Sequence, residues 1–140
     1  MAINSRTKGA NGEREFAGLI HDHLGIRLVR NLEQSRSGGH DLIIHPDEQG
    51  VVVNSLDRFA LEVKRYAQAA PALIKGWWEQ TRKQAKDINK TPALAYRVNQ
   101  RGWVVIVPMH VINKTLPISH ELEYTAAFTI EGFCSIIREV

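Results

Sequence analysis

The sequence predicts an α/β domain with a single mixed central β-sheet flanked by helices, and three observations predict it. Segments with apolar residues at helical spacing are interspersed with short apolar runs of strand length. Gly, Pro and other turn formers bound those runs. The chain's 140 residues match one domain of common size. No internal repeat, low-complexity tract or linker marks a boundary, so residues 1–140 are expected to form one domain.

The first helix is expected over NGEREFAGLIHDHLG, where Phe16, Leu19, Ile20 and Leu24 recur at helical spacing. Asn11 reads as its N-cap, which places Glu13 in the first turn, and Gly25 reads as its stop. IRLVRN alternates as a strand does, and LEQSRSGGH has the composition of a loop. DLIIH reads as a strand ended by Pro46, followed by the turn DEQG, a short strand VVVN, the turn SLDR and the strand FALEVKRY. Between Gln68 and Lys90, residues Leu73, Ile74, Trp77, Trp78, Thr81, Ala85 and Ile88 share one side of a helix, with lysines and arginines toward the other. ALAYRV and WVVIVPM follow as strands around the turn NQRG, and a last short helix is expected from about Thr129.

Composition narrows the function classes. The one cysteine, Cys134, cannot form an internal disulfide, and no Cys/His zinc spacing occurs. No apolar run approaches the roughly 18 residues of a membrane span, and the N-terminal residues lack a signal-peptide core, so a cytoplasmic protein with no membrane association is expected. Charge is segregated. Residues 63–101 carry nine Lys/Arg against two acids, whereas residues 41–62 carry five acids against one base. A basic band beside an acidic cluster suits a protein that holds a polyanion through divalent cations. Lysines on a helix also serve simply to solvate its outer face.

The acidic cluster has a pattern. Alternation puts Glu62 and Lys64 on one face of their strand and Leu61 and Val63 on the other. If the strand opened by Asp41 lies beside it, Asp41, Glu62 and Lys64 converge at one edge. Two carboxylates so placed repel unless a cation sits between them. Oxygen ligands of this kind, completed by water and phosphate, suit Mg²⁺. The lysine then lies within reach of an attacking water or of the phosphate.

Asp41 followed after a gap by Glu62-Val63-Lys64 resembles the PD-(D/E)xK nuclease core, with His40 standing where the nominal proline would be. Together with KGANGEREF, RLVRN, SRSGGHDLII and ALEVKRY, the pattern resembles the archaeal-type Holliday junction resolvases and their phage-encoded relatives over about residues 8–107. The resemblance implies a restriction-endonuclease-like fold. It implies Asp41 and Glu62 as metal ligands joined by the Val63 backbone carbonyl and Glu13, and Lys64 as the catalytic lysine. The cofactor would be Mg²⁺, with Mn²⁺ able to substitute. Arg14 and Arg30 would bind phosphate, and Lys8, Arg36, Arg65, Lys75, Arg82, Lys83 and Lys86 would add DNA contacts. Gln84 (Gln80 being the alternative) and Ser37 would support the site. The implied enzyme is an endodeoxyribonuclease that cuts four-way junctions as a homodimer.

Three departures from the family pattern stand out: a longer loop between Arg30 and Asp41, a hairpin-like insertion between Asp41 and Glu62, and a C-terminal extension over about 111–140 without a counterpart. Other readings of the same residues remain open. The E-x-K triplet is also an ordinary cross-strand charge pattern, and Glu13 an ordinary first-turn acid. Arg30 could pair with Glu33. The tryptophans suit core or dimer packing, with base stacking as the alternative. His21 and His23, two apart on a helix, point to different sides. Cys134 reads as a core residue. The rival functions are a nuclease of the same core acting on flaps, ends or duplex, a non-catalytic DNA-binding module, and a structural protein without DNA affinity.

Overall fold

The structure is a computed structural model that describes residues 5–31 and 41–139, with side chains from residue 10 onward. Among these residues, six strands form one sheet in the order β1-β2-β3-β4-β5-β6. The strands are β1 (Leu28–Arg30), β2 (Leu42–Ile44), β3 (Phe59–Tyr66), β4 (Thr91–Val98), β5 (Val104–Pro108) and β6 (Thr125–Phe128). Four helices accompany them: α1 (Ser5–Leu24), α2 (Val51–Asp57), α3 (Pro71–Asp87) and α4 (Ile130–Glu139). β3 and β4 run parallel, joined by the α3 crossover, and the other neighbours are antiparallel. The sheet is therefore mixed, as the sequence predicts.

The pleat divides the core in two. On one face, Leu42, Leu61, Val63, Ala93, Ala95, Val105 and Val107 pack against Phe16 and Ile20 of α1, Leu56 of α2 and Phe133 and Ile137 of α4. On the other, Leu94 and Ile106 pack beneath Trp77 and Trp78 of α3. Trp78 is fully buried, and its indole N–H donates to the His120 carbonyl at 2.7 Å. Both tryptophans are thus core residues, and Cys134 is buried as expected. Burial pushes its thiol up to about 11.

Several elements differ from the sequence reading. α1 begins at Ser5, so Asn11 is inside the helix instead of capping it, and Glu13 lies well past the first turn. Gly25, at φ 70°, does end the helix. VVVNSLD is a helix, not a strand, and this helix takes the place of the predicted hairpin-like insertion. Residues 125–139, left without a counterpart by the resemblance, supply edge strand β6 and helix α4, whose Phe133 and Ile137 are core residues. No described helix is long and apolar enough to cross a membrane.

One glycine fixes how close α1 lies to the sheet. A Cβ built on Gly12 would stand 2.8 Å from the Arg65 Cβ on β3. Gly12→Ala is expected to force the helix away at a cost of about 1–3 kcal/mol, against a helix-propensity gain of up to about 1 kcal/mol. At Gly18 of the same helix nothing stands within 4 Å, so Gly18→Ala keeps only the gain. Thermal melts should therefore move in opposite directions for the two variants. A stabilised Gly12→Ala would mean that the contact yields freely.

Candidate metal-dependent nuclease site

β2 lies beside β3, which brings the predicted residues together. The Asp41 N–H donates to the Leu61 carbonyl at 3.1 Å, and Leu42 is in register with Leu61. Among the described residues β2 pairs with β3 only at Leu42 and Leu61, and no strand residue there accepts the Val63 N–H. The Asp41 Oδ2 accepts that N–H at 2.8 Å. A side chain thus completes the ladder where the backbone leaves it, which locks the carboxylate beside β3. N–H and C=O of one strand residue point to the same side, so the Val63 carbonyl also faces Asp41.

Glu62 is 2% and Asp41 6% exposed, an unusual state for carboxylates. The Lys64 Nζ lies 3.3 Å from Glu62 Oε1. The other oxygen, Glu62 Oε2, is buried and has no hydrogen-bond partner among the described residues. Burial first, and then the neighbouring Asp41 charge, push Glu62 up to about 8 against the pull of Lys64. Two adjoining buried carboxyl groups are relieved by a retained proton, which the raised Glu62 pKa reflects, or by a positive group between them.

Glu13 joins this cluster from α1. Its carboxylate pairs with the Arg30 Nε at 2.6 Å. Burial and the Asp41 charge raise its pKa, while Arg30 and Lys64 lower it. Because Glu13 is not in the first turn, its place is no consequence of the helix dipole. α1, β1, β3 and the residue that precedes β2 therefore bring Glu13, Arg30, Asp41, Glu62 and Lys64 into one polar cluster.

The donor set fits a hard divalent cation, since Asp41, Glu62 and the Val63 carbonyl offer oxygen only. Among the described residues, no three Asp, Glu, His or Cys side chains stand close enough to hold an ion unaided. Water and phosphate oxygens would have to complete the shell, as they commonly do for Mg²⁺.

The remaining predicted residues are distributed around this centre. Gln84 is buried in α3, which covers the sheet face that carries Glu62, and its Oε1 has no hydrogen-bond partner among the described residues. Arg14 is exposed and donates to Asn11. Lys75, Lys83 and Lys86 are exposed on α3, and Arg82 pairs with Glu79 at 3.4 Å. Arg65 is separated from the cluster. Alternation turns it to the α1 face, where it meets Glu15 at 3.6 Å and Asn99 at 3.4 Å. The Lys8 side chain, Glu33, Arg36, Ser37 and His40 lie outside the described residues. His23 stands 3.8 Å from Glu131 at the helix surface.

The sequence reading assigns no role to Glu15, yet it clasps three partners. It binds Arg97, accepts the Trp103 indole N–H at 3.0 Å and faces Arg65. This clasp fixes α1, and with it Glu13, against β3 and β4. No spacing signal marks it, because its partners lie more than 80 residues away for Arg97 and Trp103.

Comparison with known proteins gives three findings. Residues 4–133 match the family model described as phage putative PDDEXK endonuclease. The chain is 24% identical over 118 residues to Protein D14 of Escherichia phage T5, covering 75% of this chain and 71% of that protein. The solved structure of Hjc, a Holliday junction resolvase from the hyperthermophilic archaeon Archaeoglobus fulgidus, aligns with a TM-score of 0.48 at 13% identity, covering 95% of this chain and 98% of the other.

Proposed function

The chain belongs to the phage putative PDDEXK endonuclease family, a family of nucleases acting on DNA, and on that premise we propose that it is a Mg²⁺-dependent endonuclease preferring branched four-way junctions. The observation that carries the metal dependence is the buried Asp41–Glu62 pair beside Lys64, with Glu62 Oε2 lacking a hydrogen-bond partner among the described residues. Binding DNA alone requires no such carboxylates beside phosphate, so the pair favours an enzyme over a non-catalytic module.

Asp41 and Glu62, with the Val63 carbonyl, would hold the cation. A divalent ion there supplies positive charge that offsets the build-up on the phosphoryl oxygens as the bond breaks. The Asp41–Val63 hydrogen bond keeps one ligand fixed before substrate arrives, so little reorganisation is needed. Lys64 stands 3.3 Å from Glu62, which without a cation keeps its proton below about pH 8. Once Glu62 is compensated, the Lys64 ammonium can orient the attacking water or donate to a non-bridging phosphate oxygen. Glu13 acts through Arg30, holding the guanidinium at the rim for a flanking phosphate while it adds negative charge near Asp41.

Junction preference rests on the sequence resemblance to archaeal-type resolvases, and paired cutting implies a two-fold dimer. Contacts from Arg14, Arg30, Lys75, Lys83 and Lys86 would go mainly to phosphate, with selection by shape. Cleavage of labelled four-way junction, flap, linear duplex and single strand in Mg²⁺ tests this. Paired symmetric cuts confined to the junction support the resolvase. Faster cutting of flap or duplex would assign the protein to another nuclease activity of the same core.

Arg30→Ala is expected to weaken DNA binding and to reduce the slope of log affinity against log salt by about one. Fluorescence anisotropy at several salt concentrations reads both. An unchanged slope would confine Arg30 to its ion pair with Glu13.

A further inference from the structure

A second polar centre lies away from the carboxylate cluster. The starts of β3 and β4, the turn after β5, and helices α2 and α4 line a half-open cavity of about 140 Å³. One wall carries Ser55, Arg58, His110 and Lys114, and the other is apolar, with Phe59 and Ile137. Phe59 is three residues before Glu62 on β3 and points to the opposite face, so roughly 10 Å of strand and the sheet itself separate the two centres. No Asp or Glu among the described residues lines this cavity. The nearby Asp57 is bound to Lys90 at 3.0 Å.

The polar wall is organised. Arg58 Nη2 donates to Ser55 Oγ at 3.2 Å, which orients the guanidinium. The His110 ring stacks on His120 with centroids 5.5 Å apart, and its Nε2 is buried with no hydrogen-bond partner among the described residues. Guanidinium, ammonium, hydroxyl and imidazole all donate hydrogen bonds and suit an oxyanion. At about 140 Å³ the cavity is well short of the roughly 300 Å³ or more of a drug-sized pocket. That volume suits a phosphoryl group with a small organic part against the apolar wall.

We propose that this cavity is a phosphoryl-binding site separate from the candidate nuclease centre, taking one phosphate and its adjoining sugar. The phosphate can come from a free phosphate ester or from the DNA backbone. Titration of the full chain in EDTA at constant ionic strength, with inorganic phosphate or deoxyribose 5-phosphate and two-dimensional NMR as readout, tests this. Saturable shifts at Ser55, His110 and Val111 are expected, at least tenfold weaker in Lys114→Ala and in Arg58→Gln and retained in Asp41→Asn. Lys114 is an exposed turn residue, so its variant carries the test if Arg58→Gln does not fold. Salt-dependent duplex binding then distinguishes the sources. A slope lowered by about one in Lys114→Ala assigns the site to a backbone phosphate, and an unchanged slope with weakened phosphate binding assigns it to a free ester. Absence of saturable shifts, or shifts equal in wild type and Lys114→Ala, would overturn the proposal.

Discussion

Glu62→Gln is expected to slow Mg²⁺-dependent DNA cleavage by about a thousandfold or more while leaving the fold and DNA affinity in EDTA nearly unchanged. The substitution keeps the side chain's size but removes the negative charge that a cation would require. It also removes a cost. Glu62 is buried, one of its oxygens has no hydrogen-bond partner among the described residues, and burial pushes its pKa up to about 8 from an ordinary 4.5. In the metal-free protein the folded chain therefore keeps this proton across a window where the unfolded chain has lost it. The stability that the group contributes is full below about pH 4.5 and is lost as pH rises through about 8. Each pKa unit corresponds to about 1.4 kcal/mol. Thermal melts in EDTA should thus show Glu62→Gln gaining on wild type from pH 5 to pH 9. A variant that is inactive yet more stable at high pH is the signature of a carboxylate kept for function. An inactive variant that is less stable throughout would instead make Glu62 a structural residue.

Lys64→Ala should reduce the single-turnover cleavage rate by roughly a hundredfold to a thousandfold, with DNA affinity changed only slightly. The Lys64 Nζ is 3.3 Å from Glu62 and only 17% of its side chain is exposed, so it is poorly placed to meet distant phosphates. Its effect belongs to the reacting phosphate. Removing it also withdraws the charge that lowers the Glu62 pKa, so Glu62 should hold its proton to higher pH and the rate optimum should move upward. Rapid-quench kinetics over pH, with anisotropy for binding, separates the two effects. A large loss of affinity with a normal rate at saturation would make Lys64 a binding residue.

What the sequence revealed follows from the range of its signals. The period-two pattern of FALEVKRY and the period-3.6 pattern of residues 71–87 are local, and both elements appear where expected. The alternation in β3 also gave the shared face of Glu62 and Lys64 directly. VVVNSLD misled because three successive valines favour a strand. Tertiary packing overrides that preference, since Val52, Val53 and Leu56 bury one side of a helical turn against the core. Asn11 suggested a cap by residue type alone, whereas the helix passes through it and its side chain accepts from Arg14 instead. β6, with the sequence TAAF, is too short and too small in side chain to announce itself; pairing with β5 defines it.

The site was legible to the extent that its residues sit on patterned strands. That β2 would lie beside β3 was a condition of the reading, and the Asp41–Val63 hydrogen bond that enforces it comes from a gap in backbone pairing which no motif records. The Glu15 clasp and the Arg30–Glu13 pair depend equally on packing between elements distant in sequence. Arg65 shows the converse: it adjoins Lys64 in sequence but faces the other side of the sheet, because neighbours on a strand point apart.

The most direct test of the central claim is single-turnover cleavage of labelled DNA by wild type and Asp41→Asn, each in Mg²⁺ and in EDTA. Strand cleavage by wild type in Mg²⁺ only, with none by a folded, DNA-binding Asp41→Asn variant, is the predicted result. Cleavage by wild type in EDTA, or by the variant at the wild-type rate, would contradict it.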